Sequence, residues 1–210
     1  MGRIKGTNEL FDTTKEEIAK KENAFNLKIK YEPASIIVGA GKIVKGVDEA
    51  LLEMKVGEKR KIEIPPEKAF GERSSKLIKI VPQHEFKKQK ITPFPGMPIS
   101  MDNLRGRILS VNSGRVKIDF NNPLSSKYVI YELEIKELIN DKEEKIKSIC
   151  KYYGVNCSKI SLEKDSIELT VDKDVQKKQK EMIINDAKKY LDVKKVKFSE
   201  NLTNKKQKDV

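Results

Sequence analysis

The residues that could do covalent or metal chemistry in this sequence are few and badly spaced for it. His84 is the single histidine, flanked by Gln83 and Glu85, and Cys150 and Cys157 are the only cysteines, with six residues between them. A zinc site needs about four such ligands in close register, and a His-based triad needs a base held by a third group; neither is expected here, and no metal or cofactor is predicted. A disulfide between the two cysteines is chemically possible, but in a reducing compartment two idle thiols are the expected state. Gly39-Ala40-Gly41 begins like a dinucleotide loop, yet the next glycine stands at 46 rather than 44 and no acidic residue follows at the βαβ distance. The fingerprint is not met, and no phosphate-cradling P-loop occurs.

The elements that would carry chemistry of another kind are easier to read. Residues 14–24 open with threonine followed by Glu16 and Glu17, as the first turn of a short helix does. Lys28–Tyr31 and Ser35–Val38 are β-prone runs on either side of Pro33. Val47, Ala50, Leu51 and Met54 fall at i, i+3, i+4 and i+7, one face of a helix that Gly57 closes, and Lys59–Ile64 alternates as a strand with Ile62 and Ile64 on one side. From Leu77 to Phe120 the pattern becomes short strands and turns, with Leu77–Val81, Ile108–Val111 and Arg115–Phe120 as strands and a proline-rich connector at 93–98. Val129–Ile135 alternates strictly, placing Ile130 and Glu132 on one face and Tyr131, Leu133 and Ile135 on the other. Beyond a polar junction, Ile146, Ile149, Cys150 and Tyr153 mark a helix ended by Gly154. A strand at Ser166–Val171, a helix over about 175–191 bearing Met182, Ile183, Ala187 and Tyr190, and a strand at Val193–Phe198 follow. The order helix, strand, helix, strand predicts an α+β module over 141–210, and residues 204–209 read as a frayed tail.

Composition fits several small folded units. Charged residues make up 36% and hydrophobic residues 37%, and the formal net charge is +12. Residues 71–121 hold 10 basic and four acidic groups, so +6 of that excess falls in one segment. The lysines are scattered and no tryptophan is interleaved with them, so a solvated basic surface is expected rather than a nucleic-acid site. No apolar run approaches the roughly 18 residues of a membrane span, and the N-terminal residues lack the apolar stretch of a signal peptide. A cytoplasmic protein without membrane contact is the expectation.

One constellation is longer than any of these fragments. Phe11-Asp12 is followed by VGAGKIVKGVDEALLEMKVGEKRKIEIPPEKAFGE from Val38 to Glu72, and by KIDFNNPL from Lys117 to Leu124. This resembles the FKBP family of peptidyl-prolyl cis-trans isomerases, whose pattern G-x-G-x-[VI]-[VI]-x-G-x-[DE]-x-[AG]-[LV]-x-x-M-x-x-G-E and then P-E-x-A-[YF]-G is filled at nearly every position. Asn122-Pro123-Leu124 stands where SlyD-like members have His-Pro-Leu-Ala-Gly, and the interruption before it resembles the inserted flap of that subgroup. The resemblance implies an α+β protein: an FKBP-like antiparallel β-sheet wrapped on a short helix over residues 1–71 and 122–140, a small all-β flap domain at 72–121, and the C-terminal α+β module at 141–210.

The resemblance also implies a function and a site. Isomerising an X–Pro bond needs no nucleophile, metal or cofactor, because the barrier of about 18–20 kcal/mol is lost amide resonance and a dry pocket favours the twisted, less dipolar form. By family position the pocket comprises Phe11, Asp12, Ile43, Val44, Val47, Phe70, Leu124 and Tyr131. Asp12, Val44, Phe70 and Tyr131 act on the substrate amide, Val47 is the floor, and Phe70 replaces a tyrosine and so lacks its hydroxyl donor. In the flap, Met97, Ile99, Met101, Leu104 and Ile108 are expected to line a groove for unfolded polypeptides containing X–Pro bonds, which would make the protein both isomerase and chaperone. The family places a tyrosine-bearing strand upstream of the Phe-Asp pair; GRIKGTNELFD reads as a turn, so that strand is expected either to lie upstream of Met1, which is then an internal start, or to be missing, and in the second case the alternative is a non-catalytic holdase with an impaired pocket. Residues 141–210 are a candidate homodimer contact.

Overall fold

Strand pairing in the first sheet begins at the second residue. In the computed structural model, which describes residues 1–171 and 175–200, β1 (Gly2–Ile4) runs antiparallel to β2 (Leu10–Asp12) on one side and to β8 (Val129–Glu134) on the other. The sheet is completed by β3 (Lys59–Ile64), also antiparallel to β8, in the order β2-β1-β8-β3. The expectation that no strand precedes Phe11-Asp12 is therefore corrected. Three residues between two glycines carry too little periodicity to be read as a strand; the waiting edge of β8 is what makes them one. The tail predicted at 204–209 lies outside the described residues.

Two helices accompany this sheet. In α1 (Glu16–Lys21), Glu16 and Glu17 occupy the first turn and Lys20 and Lys21 the last, complementing the helix dipole. In α2 (Lys45–Glu53), Val47 and Ala50 are buried, as is Met54 just after its end, while Leu51 is half-buried. Gly46 lets α2 come down on the sheet: a Cβ there would sit 2.5 Å from Ile64 Cγ2. Ahead of the helix, the Asp48 carboxylate turns back to accept the Gly39 N–H at 2.7 Å and the Gly41 N–H at 3.0 Å, tying the glycine loop to the helix that follows it. The β-prone runs at 28–31 and 35–38 form no ladder. Asn26 offers local partners instead, its side-chain oxygen accepting the Lys28 N–H and its carbonyl the Ile29 N–H. Leu27, Ile29, Ile36 and Val38 are consequently exposed.

Between β3 and β8 the chain builds a second antiparallel sheet. Its strands are β4 (Ile78–Pro82), β5 (Pro98–Met101), β6 (Leu104–Asn112) and β7 (Arg115–Asp119), in the order β4-β7-β6-β5. The segment is not all-β as expected. Helix α3 (Gln83–Lys88) follows Pro82 and sends Phe86 into a core with Ile108, Val116, Ile118 and Phe120. A proline as N-cap and a six-residue helix leave too short an apolar stripe for periodicity to show.

The second compact unit comprises Pro33–Ile37 and Lys136 onward. Asp141 caps α4 (Lys142–Tyr152) by accepting the Glu144 N–H at 2.9 Å. Strands β9 (Cys157–Leu162) and β10 (Ser166–Val171) pair antiparallel, α5 (Lys177–Leu191) crosses over, and β11 (Lys195–Glu200) returns parallel to β10. The predicted helix-strand-helix-strand order thus lacked β9, whose residues CSKISL are mostly polar and half-exposed at a sheet edge. Ile146, Ile149, Ile167, Leu169, Ile183 and Ala187 meet in one core. Inside it the Tyr153 hydroxyl donates to buried Asp186 at 2.7 Å. Cys150 and Cys157 are not joined in a disulfide, and a hydrogen bond with Cys157 together with burial pushes the Cys150 thiol up from its ordinary range. Among the described residues no helix is long and apolar enough to cross a membrane.

The Asp48 tie can be measured. Asp48→Ala is expected to lower stability by about 1–2 kcal/mol, the usual cost of losing hydrogen bonds to a charged acceptor at a partly buried position, seen as a reduced urea midpoint. An unchanged midpoint would mean that the loop is held by other contacts.

Candidate functional site

The geometry begins with a missing side chain and an extra residue. Gly2 pairs with Tyr131 on β8 and with Asp12 on β2, while Arg3 pairs with Leu10, so Phe11 is the odd residue of a β-bulge. A bulge re-aims the side chain it carries. Phe11 swings over Gly2, where a Cβ would lie 2.7 Å from Phe11 Cζ and 3.1 Å from Tyr131 Cε1. Only a residue without a side chain leaves room for the two rings to meet there.

They meet edge to face. The Phe11 and Tyr131 centroids are 5.6 Å apart at 82°, and Phe70 approaches Phe11 from elsewhere at 5.7 Å and 86°. Each such pair contributes about 0.5–1.5 kcal/mol beyond the area it buries. Phe70 is delivered by the 3-10 turn at Pro66–Lys68, after which the Gly71 N–H closes back on the Pro66 carbonyl at 2.7 Å. Val47 of α2, Ile64 of β3 and Val129 of β8 form the buried base with Tyr131, and Ile43, Val44, Leu51, Ile62, Ala69 and Leu133 pack around them.

The polar groups at this cluster are sparse. Burial, and secondarily the nearby Asp12 carboxylate, raise the Tyr131 hydroxyl well above its ordinary value, so it stays a protonated donor throughout the usual pH range. Val44 caps α2, its carbonyl accepting from the Val47 and Asp48 amides, and among the described residues no acceptor takes its own N–H. An apolar, aromatic surface with one hydroxyl and one backbone amide has the chemistry to pack a small apolar ring and hold a carbonyl beside it. It offers a substrate no nucleophile.

Of the residues expected at the site, Phe11, Ile43, Val44, Val47, Phe70 and Tyr131 come together in this cluster. Asp12 is exposed at its edge and acts on Tyr131 through its charge. Leu124 does not pack in the cluster; it is half-buried in a turn where its N–H donates to Asn122 Oδ1 at 2.9 Å. Met97, Ile99 and Met101 pack half-buried on the core of the second sheet, and Leu104 is 39% exposed. Ile108, expected in an open groove, is 1% exposed at the centre of that core, because it pairs with Ile118 on the sheet's inner face. Gly2 was missed by sequence reasoning: its role depends on register, and no local pattern marks it. Leu133 could have been found, since alternation already put it on the face of Tyr131. On the opposite face of the sheet a polar concavity of about 270 Å³ is lined by Met1, Arg3, Asn8, Lys61, Ile130 and Glu132 and includes none of the expected site residues. Among the described residues no group of three or more His, Cys, Asp or Glu could hold a metal ion.

Comparison with known proteins bears on this geometry. The family model described as FKBP-type peptidyl-prolyl cis-trans isomerase matches residues 2–89, and one described as FKBP26, IF domain, matches residues 79–124. A short-type peptidyl-prolyl cis-trans isomerase of Methanocaldococcus jannaschii is 33% identical over 130 residues, which span 62% of this chain and 83% of the relative. The FKBP-type isomerase SlyD of Helicobacter pylori is 29% identical over 134 residues, spanning 61% of this chain and 71% of that protein. An FKBP-type 16 kDa isomerase of Escherichia coli is 29% identical over 111 residues, 51% of this chain and 74% of its own.

The state of Tyr131 gives a prediction independent of any activity. Above the ordinary tyrosine value of 10.0 the unfolded chain gives up this proton while the folded chain keeps it, so the folded state loses ground as pH rises past that point. Tyr131→Phe should remove the latest-ionising component of an alkaline absorbance titration and make the alkaline loss of stability less steep. A Tyr131 that ionises together with the exposed tyrosines would contradict the burial of its hydroxyl.

Proposed function

Because the chain belongs to the family of FKBP-type peptidyl-prolyl cis-trans isomerases, we propose that its isomerase site is the aromatic recess of Phe11, Phe70 and Tyr131, and that residues 72–121 are a SlyD-like flap that holds unfolded clients beside it. The single observation that carries the reading is the pair of edge-to-face contacts assembled over Gly2. Such walls exclude water without offering a strong dipole. The planar X–Pro amide is the more polar state, so transfer into this surface raises it relative to the twisted form and lowers the barrier. Val47 is the floor on which the pyrrolidine ring rests. The Val44 amide holds a substrate carbonyl, and the Tyr131 hydroxyl supplies a donor to the peptide where Phe70 has none.

The flap reading draws support from the FKBP26, IF domain match at 79–124 and from the separate core that Phe86, Ile108, Val116, Ile118 and Phe120 give this segment. The alternative, a non-catalytic holdase, rests on the lack of a tyrosine-bearing strand before Phe11; the three-residue β1 carries no tyrosine, but its pairing with both β2 and β8 supports the catalytic reading.

Two measurements test the two halves separately. Phe70→Ala, which removes one ring contact, should reduce kcat/KM on a short proline tetrapeptide by about tenfold, equivalent to about 1.4 kcal/mol of transition-state stabilisation; unchanged turnover would move the site elsewhere. Removing residues 74–119 should slow a proline-limited refolding reaction far more than it slows tetrapeptide turnover. Equal losses in both assays would remove the flap from client handling.

A further inference from the structure

The second sheet has one covered face and one open one. Val116 and Ile118 of β7, with Ile108 of β6, point into the core under α3, so their neighbours point outward: Arg115 and Lys117 on β7, Arg105 and Arg107 on β6. All four side chains are exposed, and among the described residues none is held by an ion pair or a side-chain hydrogen bond. Elsewhere on the protein, cations with carboxylates in reach do pair, as Lys5 does with Glu63 and Arg60 with Glu53 and Glu58. On this face Asp119 lies opposite Arg107, but its carboxylate is already engaged by Arg73 and by Asn121. Apolar side chains are set among the cations. Ile80 of β4, paired with Lys117 of β7, is 62% exposed, and Leu109, the unpaired residue of the bulge in β6, is 38% exposed.

We propose that this open face binds acidic, extended polypeptide, in which carboxylates are interspersed with apolar side chains. The inference rests on the reading of residues 72–121 as a client-holding unit and names the class of client it prefers. Charge complementarity supplies the first argument: four cations without partners, in a segment of net charge +6, attract a ligand of the opposite sign. The second argument comes from what stands between them. Strand spacing puts Arg105 and Arg107, and likewise Arg115 and Lys117, about 7 Å apart along their strands, a repeat that an extended chain with alternate acidic residues shares. Ile80 and Leu109 give its intervening apolar side chains somewhere to lie. A single-stranded nucleic acid would look instead for aromatic platforms on which its bases stack, and the outward residues of these strands include none. Each exposed ion pair contributes a factor of roughly two in affinity, so four together give a preference of roughly tenfold.

The test uses the full chain and three fluorescent, proline-free peptides of one apolar pattern, carrying Glu, Gln or Lys at alternate positions, with a uridine oligoribonucleotide alongside. Anisotropy in low salt should give affinities falling in the order Glu, Gln, Lys, with the Glu peptide about tenfold tighter than the Gln peptide and the gap closing as salt rises toward 0.5 M, because the Debye length shrinks from about 30 Å at 0.01 M to a few ångströms. The variant R105Q/R107Q/R115Q/K117Q should bind the Glu and Gln peptides equally. Should it fail to fold, judged by its melting curve, R105Q/R107Q alone should halve the logarithm of the gap. Equal affinity of the wild-type chain for Glu and Gln peptides overturns the proposal while leaving client holding intact; no binding of any peptide overturns both. Oligoribonucleotide binding tighter than the Glu peptide at the same salt would instead make this face a nucleic-acid surface.

Discussion

The register of β8 is the constraint on which the first sheet and its site depend. This strand pairs with β1 on one side and β3 on the other, aligning Gly2, Tyr131 and Ile62 in one row. Because successive side chains alternate, a slip of one residue would turn Tyr131 and Leu133 outward and bring Ile130 and Glu132 onto the core. It would also separate Gly2 from the rings that need its open space. The burial of Val129 and Ile64 at the same end, at 0% and 2% exposure, fixes that register by the apolar area it removes from water, about 1.5–3 kcal/mol for each side chain. The aromatic cluster is thus a by-product of the sheet's own packing, and it stands or falls with the fold.

Legibility in the sequence followed the length and regularity of each signal. Helix α2, strand β3 and strand β8 were readable because six to nine residues repeat a period that packing then uses. The same holds for α4, β10 and α5 in the second unit. Short elements were not readable: β1 has three residues, α3 six beginning at a proline boundary, and β9 offers polar residues at a sheet edge. Their existence is decided by partners distant in the chain. The runs at 28–31 and 35–38 show the converse, since β-prone residues with no strand to pair with remain irregular. For the candidate site, six of the residues that the family pattern named pack in one cluster, whereas Gly2 and the bulge at Phe11 are tertiary facts with no local mark. Ile108 went astray for a related reason, because apolar character alone does not tell a core from a groove.

Catalysis of this kind asks little of individual residues and much of the surface they make together. No proton has to be taken and no bond broken, so the sequence carries no constellation of acids and bases to find. What must be preserved is dryness, shape and one or two donors. Gly46 contributes to that by letting α2 lie close on Ile64, which closes the base of the recess, and Asp48 contributes by holding the loop that ends in Ile43 and Val44. Neither touches the recess, yet both determine where its walls stand.

The second sheet is joined to this arrangement through a narrow, heavily bonded neck. The Ser126 N–H donates to the Gly71 carbonyl at 2.9 Å and the Arg73 N–H to Ser126 Oγ at 2.8 Å. Asn121 spans the two chains by accepting the Ser74 N–H at 2.8 Å and donating to the Ser74 carbonyl at 3.0 Å, while it also holds Asp119, which Arg73 reaches from the other strand. Closing a loop costs only logarithmically more as it lengthens, and the inserted residues bury a core of their own that offsets the cost of ordering them. The outward residues of β6 and β7 lie outside the cluster of Phe11, Phe70 and Tyr131, so their side chains take no part in its packing.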